Sequence, residues 1–237
     1  MSLVDHYDRK YAHAERTTKP TAVVERPADR FEMLVAVALQ RARGRYLEIG
    51  AGSGATVLAL EPHYEELVAT ELAPVRVREL EQLFASHSKV RVLRNDVEAE
   101  PLPFEDDSFE TIAMSAVIEH LVEPIRVLQE LRRVLRPGGR LLIDTPNIAK
   151  WTRRIKLAAG YFPATASTRE GLVAYDGKTP TDLHDEGHLH YFTFRSLRRL
   201  CIERAGFSSV DGLGYGKTFL SRRWPTLFSD VFLVATK

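Results

Sequence analysis

Three glycines spaced two residues apart, Gly50, Gly52 and Gly54, constrain this chain more than any other feature. They follow a short apolar run, Tyr46 to Ile49, and precede Ala55 to Leu60, which reads as a helix. A buried strand therefore enters a tight turn, and the turn opens a helix. Glycine permits positive φ and removes the Cβ atoms that would keep a ligand from the backbone. The amides at the helix start face that ligand. The turn predicts a nucleotide-like cofactor lying across it.

The rest of the chain supplies the matching scaffold. Pro27 and Asp29 precede a helix from Arg30 to Leu39 with a continuous apolar face, ending near Gly44. A strand over Leu67–Thr70 ends at Glu71, and Pro74 starts a helix whose expected buried positions are Val75, Leu80, Leu83 and Phe84. Val90–Leu93 is the third strand, ending at Asn95-Asp96-Val97, and Phe109–Ser115 is the fourth. A helix from Glu123 to Leu135 stops at Pro137-Gly138-Gly139 before a fifth strand, Arg140–Asp144. Strands alternating with helices mean a parallel sheet with helices on both faces. Thr193 caps a helix from Phe194 to Ala205 before Gly206, and Phe207–Val210 and Asp230–Val234 add two last strands, seven in all.

A chain of 237 residues is long enough for one sizeable core, and a single domain over 1–237 is expected. Two segments depart from the rhythm. Residues 1–27 are polar, with Tyr7 and Tyr11 one turn apart, and read either as a surface helix or as a flap over the glycine turn. Residues 146–191 form an insertion after the fifth strand, with a short amphipathic stretch from Trp151 to Ala159. Gly160, Pro163, Gly171, Gly177 and Pro180 suit a lid that carries acceptor specificity.

Thirty-three basic against thirty-two acidic residues leave a net charge of +1, so no global field draws the chain to nucleic acid or membrane. No apolar run approaches the ~20 residues of a membrane span, and Met1 to His6 has no apolar signal core. A single cysteine, Cys201, forbids an intrachain disulfide. These features predict a soluble, cytoplasmic protein, and leave its oligomeric state open.

Gly50-x-Gly52-x-x-Ala55 also satisfies a dinucleotide fingerprint, with Glu71 where a ribose carboxylate should lie. Two further acids narrow the choice. Glu48 sits inside the strand, where a carboxylate calls for a cationic partner, and Asp96 ends the third strand at the same sheet edge. Three carboxylates at the ends of neighbouring strands suit a ligand with an ammonium group, a ribose diol and an exocyclic amine. They suit a pyrophosphate poorly. Asp96 has a plainer reading too, as an Asx turn after a strand.

Glu48-Ile49-Gly50-Ala51-Gly52-Ser53-Gly54 resembles motif I of the class I S-adenosylmethionine-dependent methyltransferases. Further matches follow in order: Asn95-Asp96-Val97, Pro103-Phe104-x-Asp106-Asp107-Ser108-Phe109, Ile118-Glu119-His120-Leu121 and Arg136-Pro137-Gly138-Gly139. The likeness is continuous over about residues 45–145 and resumes weakly from Gly187-His188 to Phe207. It is nearest to the small-molecule group that includes the ubiquinone-biosynthesis O-methyltransferases, while Pro146-Asn147-x-x-x-Trp151 is similar to a methionine-biosynthesis-associated branch. The resemblance implies a Rossmann-like fold with S-adenosylmethionine as cofactor and S-adenosylhomocysteine as product. It implies that Gly50, Ala51, Gly52 and Gly54 cradle the methionine moiety while Glu48 organises its ammonium end. Glu71 would accept the ribose hydroxyls, Leu72 would flank the adenine, and Asp96 and the Val97 amide would hold the ring. The backbone at Ser115-Ala116 would contact the methionine amine.

Methyl transfer from a sulfonium is an in-line displacement, which asks the protein to align the groups and exclude water. A hydroxyl acceptor also needs a base, for which histidine is suited. His120 follows the fourth strand, and His184 and His188 lie in the insertion among Asp182, Asp185 and Glu186. Each has a plainer reading, His120 as a residue orienting its own loop and the others as surface residues. Their spacing is no recognised tetrahedral metal pattern, and no metal is expected. No Asn/Asp-Pro-Pro-Tyr/Phe follows the fourth strand, so nucleic acid is not the expected acceptor. Arg153, Arg154 and Lys156 are either solvated or receive an acidic group on the substrate. The function expected is methyl transfer to a small molecule, at a hydroxyl oxygen. A nicotinamide-dependent oxidoreductase and a non-catalytic S-adenosylmethionine-binding regulator are the alternatives.

Overall fold

The computed structural model describes residues 18–165 and 187–237. Tyr7, Tyr11, Gly171, Gly177, Pro180, Asp182, His184, Asp185 and Glu186, with the roles expected of them, lie outside the described residues. Seven strands make one sheet: β1 (Arg45–Ile49), β2 (Glu66–Glu71), β3 (Val90–Arg94), β4 (Phe109–Ser115), β5 (Leu135–Thr145), β6 (Ser209–Leu213) and β7 (Val231–Thr236). Their order is β3-β2-β1-β4-β5-β7-β6. The first five run parallel, and β7 runs antiparallel to both β5 and β6. The expected seven-stranded, mostly parallel, Rossmann-like sheet is the observed one. Strand order reverses between β1 and β4, and such a reversal opens a crevice at the carboxyl ends of the strands.

The helices described are α1 (Arg30–Leu39), α2 (Ala55–Leu60), α3 (Pro74–Leu83), α4 (Pro124–Val134), α5 (Trp151–Ala158), α6 (Phe194–Arg199), α7 (Phe219–Arg223) and α8 (Pro225–Phe228). Side chains alternate across a strand, so each strand feeds both layers. Leu47, Ile49, Ile112, Met114, Leu141 and Ile143 pack beneath α4 and α6. Tyr46, Ala113, Leu142 and Phe232 pack beneath α1, α2 and α3. Asp29 caps α1 by accepting from the Phe31 and Glu32 amides, and Thr193 with Ser196 forms a capping box on α6. No described helix is long and apolar enough to cross a membrane.

Several expected boundaries move. In α3 Val77 is buried where Val75 was expected, because Ala73 and Val77 share the face that also carries Leu80 and Phe84. Arg136-Pro137-Gly138-Gly139 lies within β5 rather than before it, since Leu135 already pairs with Phe109 ahead of a register shift. The sixth strand starts at Ser209, not Phe207, whose ring fills the core instead. α6 continues through a π-helical turn, Leu200–Arg204, to Ala205 as expected. α7 and α8 are additional elements, too short to carry a legible period.

Candidate active site

A cleft of about 800 Å³ runs along the carboxyl ends of β1 to β5. It is lined by Glu48, Gly50, Ala51, Gly52, Glu71, Leu72, Asp96, Val97, Ser115, His120 and His188, so the sheet gathers nearly every residue singled out from the sequence. Among the described residues Gly54 is the exception. It is the left-handed N-cap of α2, and a Cβ there would strike Leu80, Leu83 and Phe84 at 2.8–2.9 Å, so helix packing demands glycine. At Gly52 a Cβ would meet nothing within 4 Å, so what it would enter is the cleft itself. Backbone at φ +56° still disfavours any side chain there.

Carboxylates set the electrostatics of this end. Glu48 is buried, and desolvation pushes its pKa to about 8, against the Tyr46 hydroxyl that donates to Oε2 at 2.9 Å. No cation is paired with it among the described residues. Glu71 accepts the Gly52 amide on Oε1 at 2.8 Å and the Leu72 amide on Oε2 at 3.0 Å. Burial nonetheless raises its pKa. A carboxylate has about four acceptor sites, so both oxygens retain capacity toward the cleft. Asp96 does form the Asx turn: Oδ1 takes the Glu98 and Ala99 amides at 3.0 and 3.2 Å, leaving Oδ2 uncommitted. The neighbouring Asn95 Oδ1 is buried without a partner. Unpaired buried acceptors of this kind fit a ligand that brings donors and positive charge. The residues present therefore fit the ammonium, diol and amine of an adenosyl amino acid.

The backbone leaves β4 through Ala116, which holds φ +53° and donates its amide to the Asp144 carbonyl at 2.9 Å. A non-glycine residue in that region is strained, and such residues recur where function fixes the chain. Above it, Thr18 and Thr21 bond the Ser53 and Ala55 carbonyls, so the described end of the N-terminal segment crosses the glycine turn.

At the far end of the cleft two histidines meet edge to face, His120 and His188, with ring centroids 4.7 Å apart. His120 Nδ1 lies 2.7 Å from the Gly187 carbonyl, which only accepts, so Nδ1 carries the proton. His188 Nδ1 lies 2.6 Å from Thr165 Oγ1. Glu119 reaches the same place, buried, its Oε2 accepting from Thr145 Oγ1 at 2.9 Å, and burial lifts its pKa to about 7. One ligand atom from each of Glu119, His120 and His188 lies within 4.8 Å of the others, so the trio can move a proton or hold a cation.

Four participants have no counterpart in the sequence reading. Asp144, at the end of β5, accepts from the Tyr215 hydroxyl at 2.8 Å with Arg30 3.8 Å away, and burial lifts its pKa to about 7. A carboxylate at the carboxyl end of a strand, as with Glu71, was the available signal for it. Tyr215 and Arg30 carry none, being 71 residues downstream and far upstream in sequence. Asp230 anchors Lys150 and Arg153 at 3.2 and 2.9 Å, and despite burial these cations hold its pKa below the ordinary value. Of the expected basic trio, Arg153 thus lines the cleft, while Arg154 and Lys156 are exposed.

Comparison with known proteins adds a likeness over part of the chain. A model of the methyltransferase domain matches residues 47–143. A demethylmenaquinone methyltransferase of Clavibacter sepedonicus is 29% identical over 170 residues, 70% of this chain and 66% of the relative. A ubiquinone biosynthesis O-methyltransferase of Xanthomonas oryzae pv. oryzae is 29% identical over 114 residues, 48% of this chain and 47% of the relative. The chain thus spans about two thirds or less of these curated relatives. In fold it is similar to the CurJ carbon methyltransferase, with TM-score 0.57 and 20% identity over 86% of this chain and 52% of that one.

Proposed function

We propose that this chain, which carries a methyltransferase domain with S-adenosylmethionine as its cofactor, methylates a small-molecule acceptor at a hydroxyl oxygen. The observation that carries the proposal is the pair His120–His188, set across the same cleft from Glu48, Glu71 and Asp96. When bound, the cofactor supplies a methyl group on a sulfonium, open to in-line displacement. Glu48, once ionised, would offset the charge of the methionine ammonium. Glu71 and Asp96 Oδ2 would accept from the ribose and the adenine, and the Ser115-Ala116 backbone would border the methionine end. With Nδ1 donating to the Gly187 carbonyl, Nε2 is the His120 nitrogen suited to take the acceptor's hydroxyl proton. His188 stands beside it, oriented through Thr165. The described parts of the insertion, with Pro146, Lys150, Arg153, Thr165 and His188 on the cleft, support its reading as a lid over the acceptor. The methyltransferase likeness over residues 47–143 favours methyl transfer over the nicotinamide alternative, and the cytoplasm is the proposed location, the sequence having one cysteine and so no intrachain disulfide.

The test is turnover on a panel of hydroxyl, amine and carbon acceptors, with the methylated atom identified in the product. His188→Ala should lower turnover by ~10²–10⁴-fold and leave affinity for S-adenosylhomocysteine nearly unchanged. Normal turnover with weakened cofactor binding would place His188 in the cofactor shell and return the base role to His120 alone. A second reading, favoured by the 4.8 Å grouping, has Glu119, His120 and His188 gripping a divalent cation. Activity that falls on chelation and returns with one metal would support it.

A further inference from the structure

The chain's near-neutral total conceals a segregation of charge. Residues 146–165 contain Lys150, Arg153, Arg154 and Lys156, and residues 214–229 contain Lys217, Arg222 and Arg223. Neither stretch has an acidic residue, which leaves the rest of the chain at −6 for a total of +1. The fold brings the two stretches side by side. Asn147 Nδ2 donates to the Thr226 and Ser229 carbonyls at 3.0 Å, and Asp230 receives the Asn147 amide, Lys150 and Arg153. The Trp151 and Phe228 rings stand 6.4 Å apart. Together they form one rim of the cleft, to which Lys150 and Arg153 contribute from one side and Ser221 and Phe228 from the other.

This rim is apolar as well as basic. α5 and α8 bury no residue, and α7 buries only Ser221. Trp151, Ile155, Phe219 and Trp224 are 45%, 58%, 65% and 48% exposed. Both tryptophans of the chain therefore stand out from this one rim. A solvated basic face would not interleave its cations with large exposed apolar side chains. A nucleic-acid surface would want rings ordered for stacking along a groove, and a purely electrostatic contact with an acidic partner would leave these apolar side chains without a function. Short helices with Trp, Phe and Ile beside Arg and Lys match an interface where headgroups carry negative charge above hydrocarbon.

We propose that the rim formed by α5, α7 and α8 docks on an anionic lipid bilayer and sets the mouth of the cleft at the headgroups. An amphiphilic acceptor then reaches the cleft without crossing bulk water; that clause alone rests on the methyl-transfer reading. Docking is measured on the full chain without cofactor, so it stands or falls separately.

The probes are vesicles of phosphatidylcholine alone and of phosphatidylcholine with about a third phosphatidylglycerol. Flotation should carry the protein with the anionic vesicles, and binding should weaken steeply between low salt and ~0.5 M salt. Because both tryptophans lie on the rim, emission should shift to the blue on binding. Arg154→Glu with Arg223→Glu, both exposed and outside the site machinery, should weaken binding by at least ~10-fold while S-adenosylhomocysteine affinity persists. Trp224→Ala should weaken binding and remove part of the blue shift. No flotation at low salt, equal binding to both vesicle types, or undiminished binding by a folded charge-reversed variant would each overturn the proposal. Capture of an acidic protein or of nucleic acid with no vesicle binding would overturn it as well.

Discussion

Glu71 shows how one side chain can fix a turn and still line the cleft. Its two oxygens already accept the Gly52 and Leu72 amides, which fixes the glycine turn, and the side chain lines the cleft. Glu71→Ala should weaken S-adenosylhomocysteine binding by ~2–4 kcal/mol, the scale of two hydrogen bonds to a charged acceptor. Calorimetric titration checks it, and an unchanged dissociation constant in a folded variant would remove Glu71 from the ribose. Gly52 and Gly54 look alike in the sequence but answer to different constraints. One faces open cleft and the other faces Leu80, Leu83 and Phe84, a distinction that depends on where α3 packs.

Among elements, the junction between α5 and the α7–α8 pair depends on Asn147, which is fully buried. Its amide nitrogen satisfies two carbonyls, and its Oδ1 takes the Ala149 amide at 3.0 Å. Asn147→Ala should cost about 2–4 kcal/mol, because it leaves buried backbone groups unpaired, and should lower Tm by roughly 5–10 °C. Urea and thermal unfolding measure this directly; a loss under ~1 kcal/mol would mean that water or neighbouring groups replace the side chain. The sheet and its covering helices were legible because each follows a local period with a punctuating Gly, Pro or cap. α7 and α8, of five and four residues, give no such period. Their form follows from the Asp230 and Asn147 contacts, made across some eighty residues.

For the molecule as a whole, buried carboxylates make stability depend on pH in an unusual direction. Burial holds Glu48 at about 8 and Glu119 and Asp144 at about 7, well above their unfolded values near ~4. Between those limits the folded chain keeps protons that the unfolded chain has released. Each of the three therefore contributes stability that is full below pH ~4 and is lost as pH rises through 7 to 8. Asp230 works the other way, its depressed pKa adding stability that is lost only as pH falls through the acid range. Without cofactor, Tm should be higher near pH ~5.5 than near pH ~8.5. A flat or rising Tm over that window would show that these groups ionise freely in the folded chain.

The sequence by itself determined the parallel sheet, the glycine turn and the line of carboxylates at the strand ends, because strand period, helix period and turn chemistry are written within a few neighbouring residues. Glu48, Glu71 and Asp96 were readable for the same reason: Glu48 lies within the carboxyl half of β1, Glu71 closes β2 and Asp96 follows β3, and local neighbours define each strand. Tertiary structure alone decided which distant groups meet. His120 reaches Gly187 across 67 residues, Tyr215 reaches Asp144 across 71, and two basic stretches some sixty residues apart become one rim. Such contacts leave no local period, since they arise where strand order reverses and where β7 returns antiparallel along β5 to carry Asp230 back to the cleft.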